Sequence, residues 1–217
     1  MSSLTMMPMS LEEIAQAVQG RLIAGTAAAN TPVATSAFTD SRQIVEGSVF
    51  IAIAGERVDG HDYVPHVGAQ GAVAAIVDHE IADAGVSQIV VEDTVLALGM
   101  LAKHNIERRR ALGTPFTVVG ITGSVGKTTT KDLMKALLSH MGSTVAPVGS
   151  FNNEIGLPLT SLKVNAETRF LVAEMGANHV GEIANLTSLV PPDIAVVLKV
   201  GVAHLGEFGL SLIHISE

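Results

Sequence analysis

The pattern of hydrophobic positions in the first half of the chain predicts short strands between two helices. Ser10 and Glu13 have the spacing of a capping box, and apolar residues follow them at helical intervals up to Gly20. A second helix, with one apolar face, is predicted to follow a cap at Asp93 or Thr94. Apolar runs that are rich in β-branched residues and bounded by Gly or Asp predict strands at 48–55, 71–77 and 87–93.

The second half alternates more regularly between strand and helix patterns. An apolar run at 115–122 predicts a buried strand, and 127–142 predicts a helix with Leu133, Leu137 and Met141 in line. Because strand–helix–strand units form right-handed crossovers, this alternation predicts a doubly wound, mostly parallel sheet. The remaining pattern predicts a helix around 180–190 and strands at 143–149, 169–176 and 193–201.

A change in composition separates the two halves. The charged residues 107–110 precede a Gly-Thr-Pro segment at 113–115, and this sequence predicts a domain boundary near 111–115. We therefore expect an α/β protein with a small mixed α/β domain at 1–112, followed by a parallel-sheet domain at 113–209.

Composition excludes several classes of function. The net charge is −8, aromatic residues make up 3% of the chain and Trp is absent, so nucleic acid is not expected as a partner. The lack of Cys excludes disulfides, thiolate metal sites and Cys nucleophiles. The first residues do not have the form of a secretory signal, and no apolar run is long enough to span a membrane. We expect a soluble cytoplasmic protein.

The segment Gly-Ile-Thr-Gly-Ser-Val-Gly-Lys-Thr-Thr at 120–129 joins the predicted strand to the predicted helix. Small residues let backbone amides surround phosphate oxygens, while Lys127 reaches the terminal phosphates and the Thr128 hydroxyl can bind Mg²⁺. The usual pattern has Gly where Ile121 stands, and Gly123 supplies the flexibility instead. The loop predicts that a nucleotide and Mg²⁺ bind at Thr122, Gly123, Ser124, Val125, Gly126, Lys127, Thr128 and Thr129. The alternative is a helix that merely starts after a glycine turn and contains Lys-Thr.

Four further polar residues are candidates for the same site. Glu174 and His204 follow predicted strands, where a parallel sheet opens its binding crevice, and both can bind a metal ion. The alternatives are a solvated turn residue for Glu174 and an ordinary hydrogen-bonded histidine for His204. Asn152 and Asn153 lie in a loop bounded by Gly and Pro, where they can donate to phosphates or to a substrate carbonyl. Ordinary turn chemistry also favours Asn at such positions.

Four segments together resemble the Mur ligase family of peptidoglycan synthesis. They are the loop at 122–129, Asn-Asn-Glu-Ile-Gly-Leu-Pro at 152–158, Glu-Met-Gly-Ala-Asn-His-Val-Gly-Glu-Ile at 174–183 and Ala-His-Leu-Gly-Glu-Phe-Gly at 203–209. The last three are similar to the member that joins D-alanyl-D-alanine to UDP-N-acetylmuramoyl-tripeptide. The sister ligase, which adds the third amino acid, would be expected to carry Thr-Thr-Pro and Ser-Ser-His segments, and this sequence has neither.

The resemblance implies an ATP-dependent amide ligase that acts through an acyl phosphate. It implies that Lys127, Glu174 and His204 are catalytic, and that Thr128, Glu174 and His204 are ligands of Mg²⁺. It also implies that Asn152 lies near the nucleotide or the substrate, together with Asn153. A phosphate-loop switch or kinase of another class is the alternative, although the guanine motif Asn-Lys-x-Asp of a GTPase is absent.

The first half also resembles the domain that binds the UDP precursor in this family. The resemblance rests on Asp-Ser-Arg at 40–42, on Gly-Ser-Val-Phe-Ile-Ala-Ile at 47–53 and on Asp-Gly-His-Asp at 59–62. It implies that Ser41 contacts the UDP-sugar and that Arg42 braces the loop through a salt bridge. The alternative for Arg42 is a surface ion pair of little energetic value.

The resemblance ends after Gly209. The family continues there with a long helix that carries a carbamylated lysine and later with a C-terminal ligase domain, whereas the tail at 210–217 matches neither. We expect an incomplete sheet domain and an inactive fragment of a ligase whose parent is a monomer. The alternatives are a genuine final strand, or a module that binds the precursor or a nucleotide without catalysis. The sequence leaves open whether the precursor carries lysine or diaminopimelate.

Overall fold

A computed structural model describes residues 5–25 and 33–199, which form two compact units that divide between His104 and Asn105. The division falls inside a helix, because the side chains of its last two turns donate hydrogen bonds within the second unit. The boundary predicted near 111–115 and the domain ranges 1–112 and 113–209 stay predictions. The tail at 210–217 lies outside the described residues.

The first unit is built on a mixed five-stranded sheet in the order β2-β7-β6-β5-β4. The strands β4 to β7 are parallel, β2 is antiparallel to β7, and β1 pairs with β3 in a separate antiparallel ribbon. The elements are β1 (Met9–Ser10), α1 (Leu11–Ala17), β2 (Arg21–Ile23), β3 (Val33–Ala34), β4 (Ser36–Phe38), β5 (Ser48–Ile51), α2 (Val64–Val67), β6 (Ala72–Val77), β7 (Ser87–Val90) and α3 (Thr94–Ala111).

Side chains cap both predicted helices of this unit. The Ser10 hydroxyl accepts a hydrogen bond from the Glu13 amide at 3.1 Å, which confirms the predicted start of α1. At α3 the cap is Asp93 rather than Thr94. One Asp93 carboxylate oxygen accepts hydrogen bonds from the amides of Val95 and Leu96 at 2.7 and 2.9 Å.

The second unit contains a parallel sheet in the order β11-β8-β10-β9. The connections that follow β8 and β10 run in opposite directions across the sheet, so a crevice opens between the carboxyl ends of these neighbouring strands. This topology confirms the predicted α/β class with a parallel sheet. The elements are β8 (Thr117–Thr122), α4 (Lys127–Ser139), β9 (Thr144–Val145), α5 (Gly156–Ser161), β10 (Phe170–Glu174), α6 (Glu182–Leu189) and β11 (Ile194–Val197).

Two details of the second unit were not predicted from the sequence. The apolar line on α4 is exposed, with Leu133 at 67% and Leu137 at 61%, while Lys131 is buried at 1%. In addition, the segment expected to be a loop up to Pro158 becomes α5 from Gly156 onwards. Proline is tolerated there because the first turn of a helix needs no intrahelical amide donor.

None of the helices within 5–25 and 33–199 combines the length and the hydrophobicity that crossing a lipid bilayer requires.

Arg109 ties the end of α3 to the second unit. Its guanidinium is 1% exposed and donates to the carbonyl of Thr168 at 3.0 Å, to the Thr114 hydroxyl at 2.9 Å and to the carbonyl of Pro115 at 2.9 Å. It also lies 5.0 Å from the centre of the Phe116 ring. This one side chain therefore fixes the segment that enters β8 and the segment that enters β10.

We expect Arg109→Leu to lower the free energy of unfolding by about 3 kcal/mol, because buried carbonyl oxygens would lose their donors. Arg110→Leu is the matched control, since that guanidinium is 36% exposed and pairs with Asp193 at 3.2 Å. The control should cost less than about 1 kcal/mol. Urea unfolding followed by circular dichroism measures both values, and equal effects would contradict the anchoring role of Arg109.

Candidate functional site

Two glycines set the shape of the loop between β8 and α4. Gly123 and Gly126 have φ values of 136° and 88°, in the left-handed region that favours glycine. A Cβ atom on Gly123 would also lie 2.8 Å from the side chain of Leu198. Ile121, which stands where the usual motif has its first Gly, is a fully buried residue of β8. The loop therefore does not need a glycine at that position.

The loop delivers the amino end of α4 to an open pocket of about 310 Å³. No side chain caps this helix, and its first amides have no acceptor inside the helix, so they are available to an anion. Most of the predicted nucleotide ligands lie together here, and the pocket is lined by Ser124, Val125, Gly126, Lys127, Thr128, Thr129, Ser150, Asn152 and Glu174.

The other two predicted loop residues have different surroundings. The Gly123 carbonyl accepts a hydrogen bond from the Lys127 ammonium at 2.6 Å, so the lysine side chain folds back over the loop. Thr122 ends β8 and lines a separate, mainly apolar pocket together with Met175 and Pro192. Its carbonyl accepts from the amide of Leu198 at 2.9 Å, which makes the backbone of Thr122 part of the sheet.

Glu174 lies at the floor of the main pocket, at the end of β10, and is 1% exposed. Its Oε1 atom accepts hydrogen bonds from the Asn152 amide group at 2.9 Å and from the Thr128 hydroxyl at 3.3 Å. The carboxylate is therefore buried, and the alternative of a solvated turn residue is wrong. Three predicted site residues from three different segments meet at this one oxygen atom.

The second carboxylate oxygen of Glu174 distinguishes this site from an ordinary buried hydrogen-bond network. Within the described parts of the chain, Oε2 is the single buried side-chain polar atom that has no hydrogen-bond partner. Such an atom costs free energy unless a ligand satisfies it. A carboxylate oxygen beside a threonine hydroxyl at the start of a helix fits the oxygen ligands that Mg²⁺ prefers. These residues thus fit the predicted metal ion.

Close packing of the backbone allows Asn152 to reach Glu174. A Cβ atom on Gly176 would lie 2.7 to 2.9 Å from the side-chain amide atoms of Asn152. The amide of Gly176 donates to the Asn152 carbonyl at 2.9 Å, and the Met175 amide donates to the Ile121 carbonyl at the same distance. The glycine after β10 therefore leaves the space that brings the asparagine onto the carboxylate.

A second pocket of about 280 Å³ lies beside the first, and sequence reasoning did not assign it. Glu182 begins α6 and accepts hydrogen bonds from the amides of Asn178 and His179. Burial alone would raise the pKa of Glu182, but hydrogen bonds from Asn178 and His179 outweigh it and lower that pKa. The sequence did carry a signal for this pocket, because its residues at 176–182 follow the same strand, β10, that ends at Glu174. Residues that follow a strand of a parallel sheet line the crevice at its carboxyl edge. Its other lining residues are Lys127, Asn152, Asn153, Glu154, Gly176 and Ala177.

Asn153 is a predicted site residue whose hydrogen bonds are made away from Glu174. The Asn153 side-chain oxygen accepts from the Gly156 amide at 2.9 Å, and its carbonyl accepts from the Leu157 amide at 3.0 Å. Asn153 therefore forms the turn that precedes α5 and lines the second pocket, not the first. His204 lies outside the described residues, and its role as a metal ligand stays a prediction.

Ser41 and Arg42 form a short 3-10 turn after β4 in the first unit. Asp40 accepts from the Arg42 side chain through both carboxylate oxygens, at 2.9 and 2.7 Å, and from the Arg42 amide at 3.0 Å. The hydrogen bond from the Arg42 side chain is the main cause that lowers the pKa of Asp40 to about 2. The Arg42 side chain is 87% exposed. The contact of Ser41 with a UDP-sugar stays a prediction.

A second group of side chains that could bind a metal ion lies at the end of β6. It consists of His61, Asp78 and His79, with the two imidazole rings stacked 4.7 Å apart. Both ring nitrogens of the buried His61 already have partners. One contacts the Asp59 carboxylate at 2.6 Å, and the other accepts from the Asp78 amide at 3.2 Å. This arrangement is typical of a buried histidine that stabilises a turn.

Family models and relatives match both halves of this chain. A family model described as the Mur ligase middle domain matches residues 121–212, and one described as the Mur ligase family catalytic domain matches residues 33–106. A curated relative, UDP-N-acetylmuramoyl-tripeptide--D-alanyl-D-alanine ligase of Mycobacterium tuberculosis, is 39% identical over 230 residues. That match covers 94% of this chain and 44% of the relative.

Solved structures of ligases with related names are also similar to this chain. A crystal structure of MurF from Acinetobacter baumannii has a TM-score of 0.82 at 38% identity and covers 97% of this chain and 45% of that one. The MurF ligase of Thermotoga maritima in complex with ADP has a TM-score of 0.67 at 39% identity, over 78% of this chain and 38% of that one. The chain spans less than half the length of these relatives. Since Mur ligase models match both halves of it, the chain belongs to the Mur ligase family.

Proposed function

We propose that this chain carries the ATP-binding part of a ligase that joins D-alanyl-D-alanine to UDP-N-acetylmuramoyl-tripeptide. The observation that carries the proposal is the meeting of Thr128, Asn152 and the half-satisfied Glu174 beside the phosphate loop. The names of the relatives support the substrates, and the ADP complex of the Thermotoga maritima relative supports a nucleotide at this loop. An enzyme that consumes ATP in this way is expected in the cytoplasm.

In the proposed reaction, the terminal carboxylate of the tripeptide attacks the γ-phosphorus of ATP, the bond to the bridging oxygen breaks, ADP leaves and an acyl phosphate forms. The amine of D-alanyl-D-alanine then attacks the acyl carbon, and inorganic phosphate and a proton leave as the amide bond forms. No protein nucleophile is required. The chain contributes orientation and positive potential, because the α4 amides and Lys127 face the phosphate oxygens on which negative charge develops.

Thr128 and Glu174 would hold Mg²⁺, and His204 is the proposed further ligand. When bound, the ion neutralises phosphate charge in the transition state. Asn152 donates to Glu174 Oε1, so Oε2 is the carboxylate oxygen that has no partner within the described residues. Oε2 is therefore the proposed ligand atom of Glu174 for the ion.

The first unit would bind the UDP precursor through the turn after β4, with Ser41 in contact with the UDP-sugar. The bidentate pair of Arg42 with Asp40 supports a bracing role for Arg42 in that turn. Because the chain spans 44% of the curated relative, we propose that these 217 residues bind ligands without completing a catalytic cycle. In this proposal the chain acts as a binding module, and ligation requires residues of the kind that the longer relatives contain in addition.

We expect Lys127→Met to weaken ATP binding about 10- to 100-fold, because the ammonium donates charge-assisted hydrogen bonds to phosphate. Glu174→Gln should instead lower the ratio of the ATP affinities in Mg²⁺ and in EDTA about tenfold. The ATP affinity in EDTA itself should stay nearly unchanged. Isothermal titration with ATP, in Mg²⁺ and in EDTA, measures both effects. Glu167→Gln, at an exposed position, is the control. An unchanged Mg²⁺ gain in Glu174→Gln would contradict the proposed metal site.

Phosphate release distinguishes a binding module from an enzyme. We expect these 217 residues to release no phosphate above background with ATP, the tripeptide precursor and D-alanyl-D-alanine, although they bind ATP. The Mycobacterium tuberculosis ligase serves as the positive control under the same conditions. Phosphate release by the chain that depends on D-alanyl-D-alanine would refute the proposal that it is catalytically incomplete.

The Asp40–Arg42 pair predicts a specific pH dependence. Because the pKa of Asp40 in the folded chain is about 2, below its ordinary value of 3.8, the pair stabilises the fold above that ordinary value. This contribution is lost as the pH falls toward 2. We expect Arg42→Gln to return the pKa of Asp40 toward 3.8, as measured by carboxyl ¹³C shifts. The control is Arg57→Gln, at an exposed position. If the pKa of Asp40 is the same in Arg42→Gln as in the wild-type chain, the pair does not form in solution.

A further inference from the structure

Lys131 is a buried cation that the proposed chemistry leaves without a role. It lies on α4, one turn after Lys127, and its side chain is 1% exposed. Its ammonium donates to the carbonyls of Pro147 and Gly149 at 3.1 and 3.0 Å, and lies 3.0 Å from a carboxylate oxygen of Asp132. An ammonium group has three donors, so these three oxygens match its full capacity.

Two of those oxygens belong to the backbone of the loop between β9 and α5. Gly149, one of the acceptors, has φ of 65° and so adopts a left-handed conformation. Ser150 and Asn152 follow it and line the phosphate pocket. Asn152 then donates to Glu174 and accepts from Gly176. A continuous series of contacts therefore runs from Lys131 through this loop to the carboxylate at the floor of the pocket.

Burial of an ammonium group is costly unless every donor is satisfied. A purely structural position on this helix face could be filled by an apolar residue, and α4 has large apolar residues that are exposed instead, such as Leu133 and Leu137. The chain thus buries a lysine and exposes leucines on one helix. The lysine does what an apolar residue cannot, since it holds carbonyls of the neighbouring loop at a fixed distance from the helix that begins the phosphate site.

We propose that Lys131 is a positioning residue, which holds the loop at 147–152 so that Asn152 directs Glu174 toward the metal ion. This inference rests on the proposed function, because it assigns Lys131 a part in forming the Mg²⁺–ATP site. Lys131 does not line the pocket itself and acts through the two backbone carbonyls and Asn152.

Hydrogen exchange without nucleotide tests the anchoring step. Lys131→Met keeps the length and the apolar stem of the side chain but removes its donors. We expect the amides of 148–153 to exchange about tenfold faster in this variant, because the loop loses its hydrogen bonds to α4. Lys135→Met, the same change at an exposed position on the same helix, should leave their exchange unchanged. Equal exchange in Lys131→Met and the wild-type chain would overturn the proposal.

Titration with ATP tests the consequence for the site. A lysine that only stabilises the fold would leave the ratio of ATP affinities in Mg²⁺ and in EDTA unchanged among folded molecules. We expect Lys131→Met to lower that ratio about tenfold, as loss of a supporting contact does at metal sites. Faster loop exchange combined with an unchanged ratio would overturn the positioning role.

If Lys131→Met does not fold, Lys131→Gln takes its place in both measurements, and we expect smaller effects in the same direction because Gln retains one amide donor group. If the wild-type chain binds no ATP, the proposed function fails. The exchange experiment contains no nucleotide, and it still decides whether Lys131 holds the loop.

Discussion

The site depends on a buried carboxylate whose two oxygens have different surroundings. Glu174 ends a central strand of the parallel sheet, where solvent does not reach it, and one oxygen is satisfied by Asn152 and Thr128. The other has no partner in the described chain. A folded protein tolerates the free-energy cost of such an unpaired atom where function requires it. The neighbouring α4 amides have no acceptor within the helix and therefore attract negative charge.

Topology explains why these groups meet. The connections after β8 and β10 leave the sheet in opposite directions, so the loops that follow these strands border one crevice. Glycines then determine how closely the segments approach. Gly126 permits the left-handed turn into α4, and Gly176 leaves room for the Asn152 side chain. The position of a carboxylate is therefore set by backbone conformation as much as by side-chain chemistry.

The fold class and the centre of the site could be predicted because their signals are local. The phosphate loop and the carboxylate after an apolar run each depend on a few adjacent residues, as Lys127 and Glu174 illustrate. Lys131 could not be predicted, since helical periodicity favours Leu133 and Leu137 for the inner face, and the acceptors of Lys131 lie in a loop 16 and 18 positions later. The start of α5 was not predicted because Asn, Gly and Pro are typical of loops. Here the Asn153 side chain accepts from the first amide of a helix whose first turn tolerates Pro158.

The charges in the site imply that Mg²⁺ and a triphosphate, if both bind as proposed, would bind interdependently. Glu174 Oε2 can accept a cation, while the α4 amides and Lys127 can accept an anion. A triphosphate alone would bring negative charge toward a buried carboxylate, and a cation alone would lie near the positive end of a helix. Each ligand therefore offsets the repulsion that the other meets, so their binding free energies are coupled, and the coupling is reciprocal. The half-satisfied carboxylate is the group through which that coupling acts.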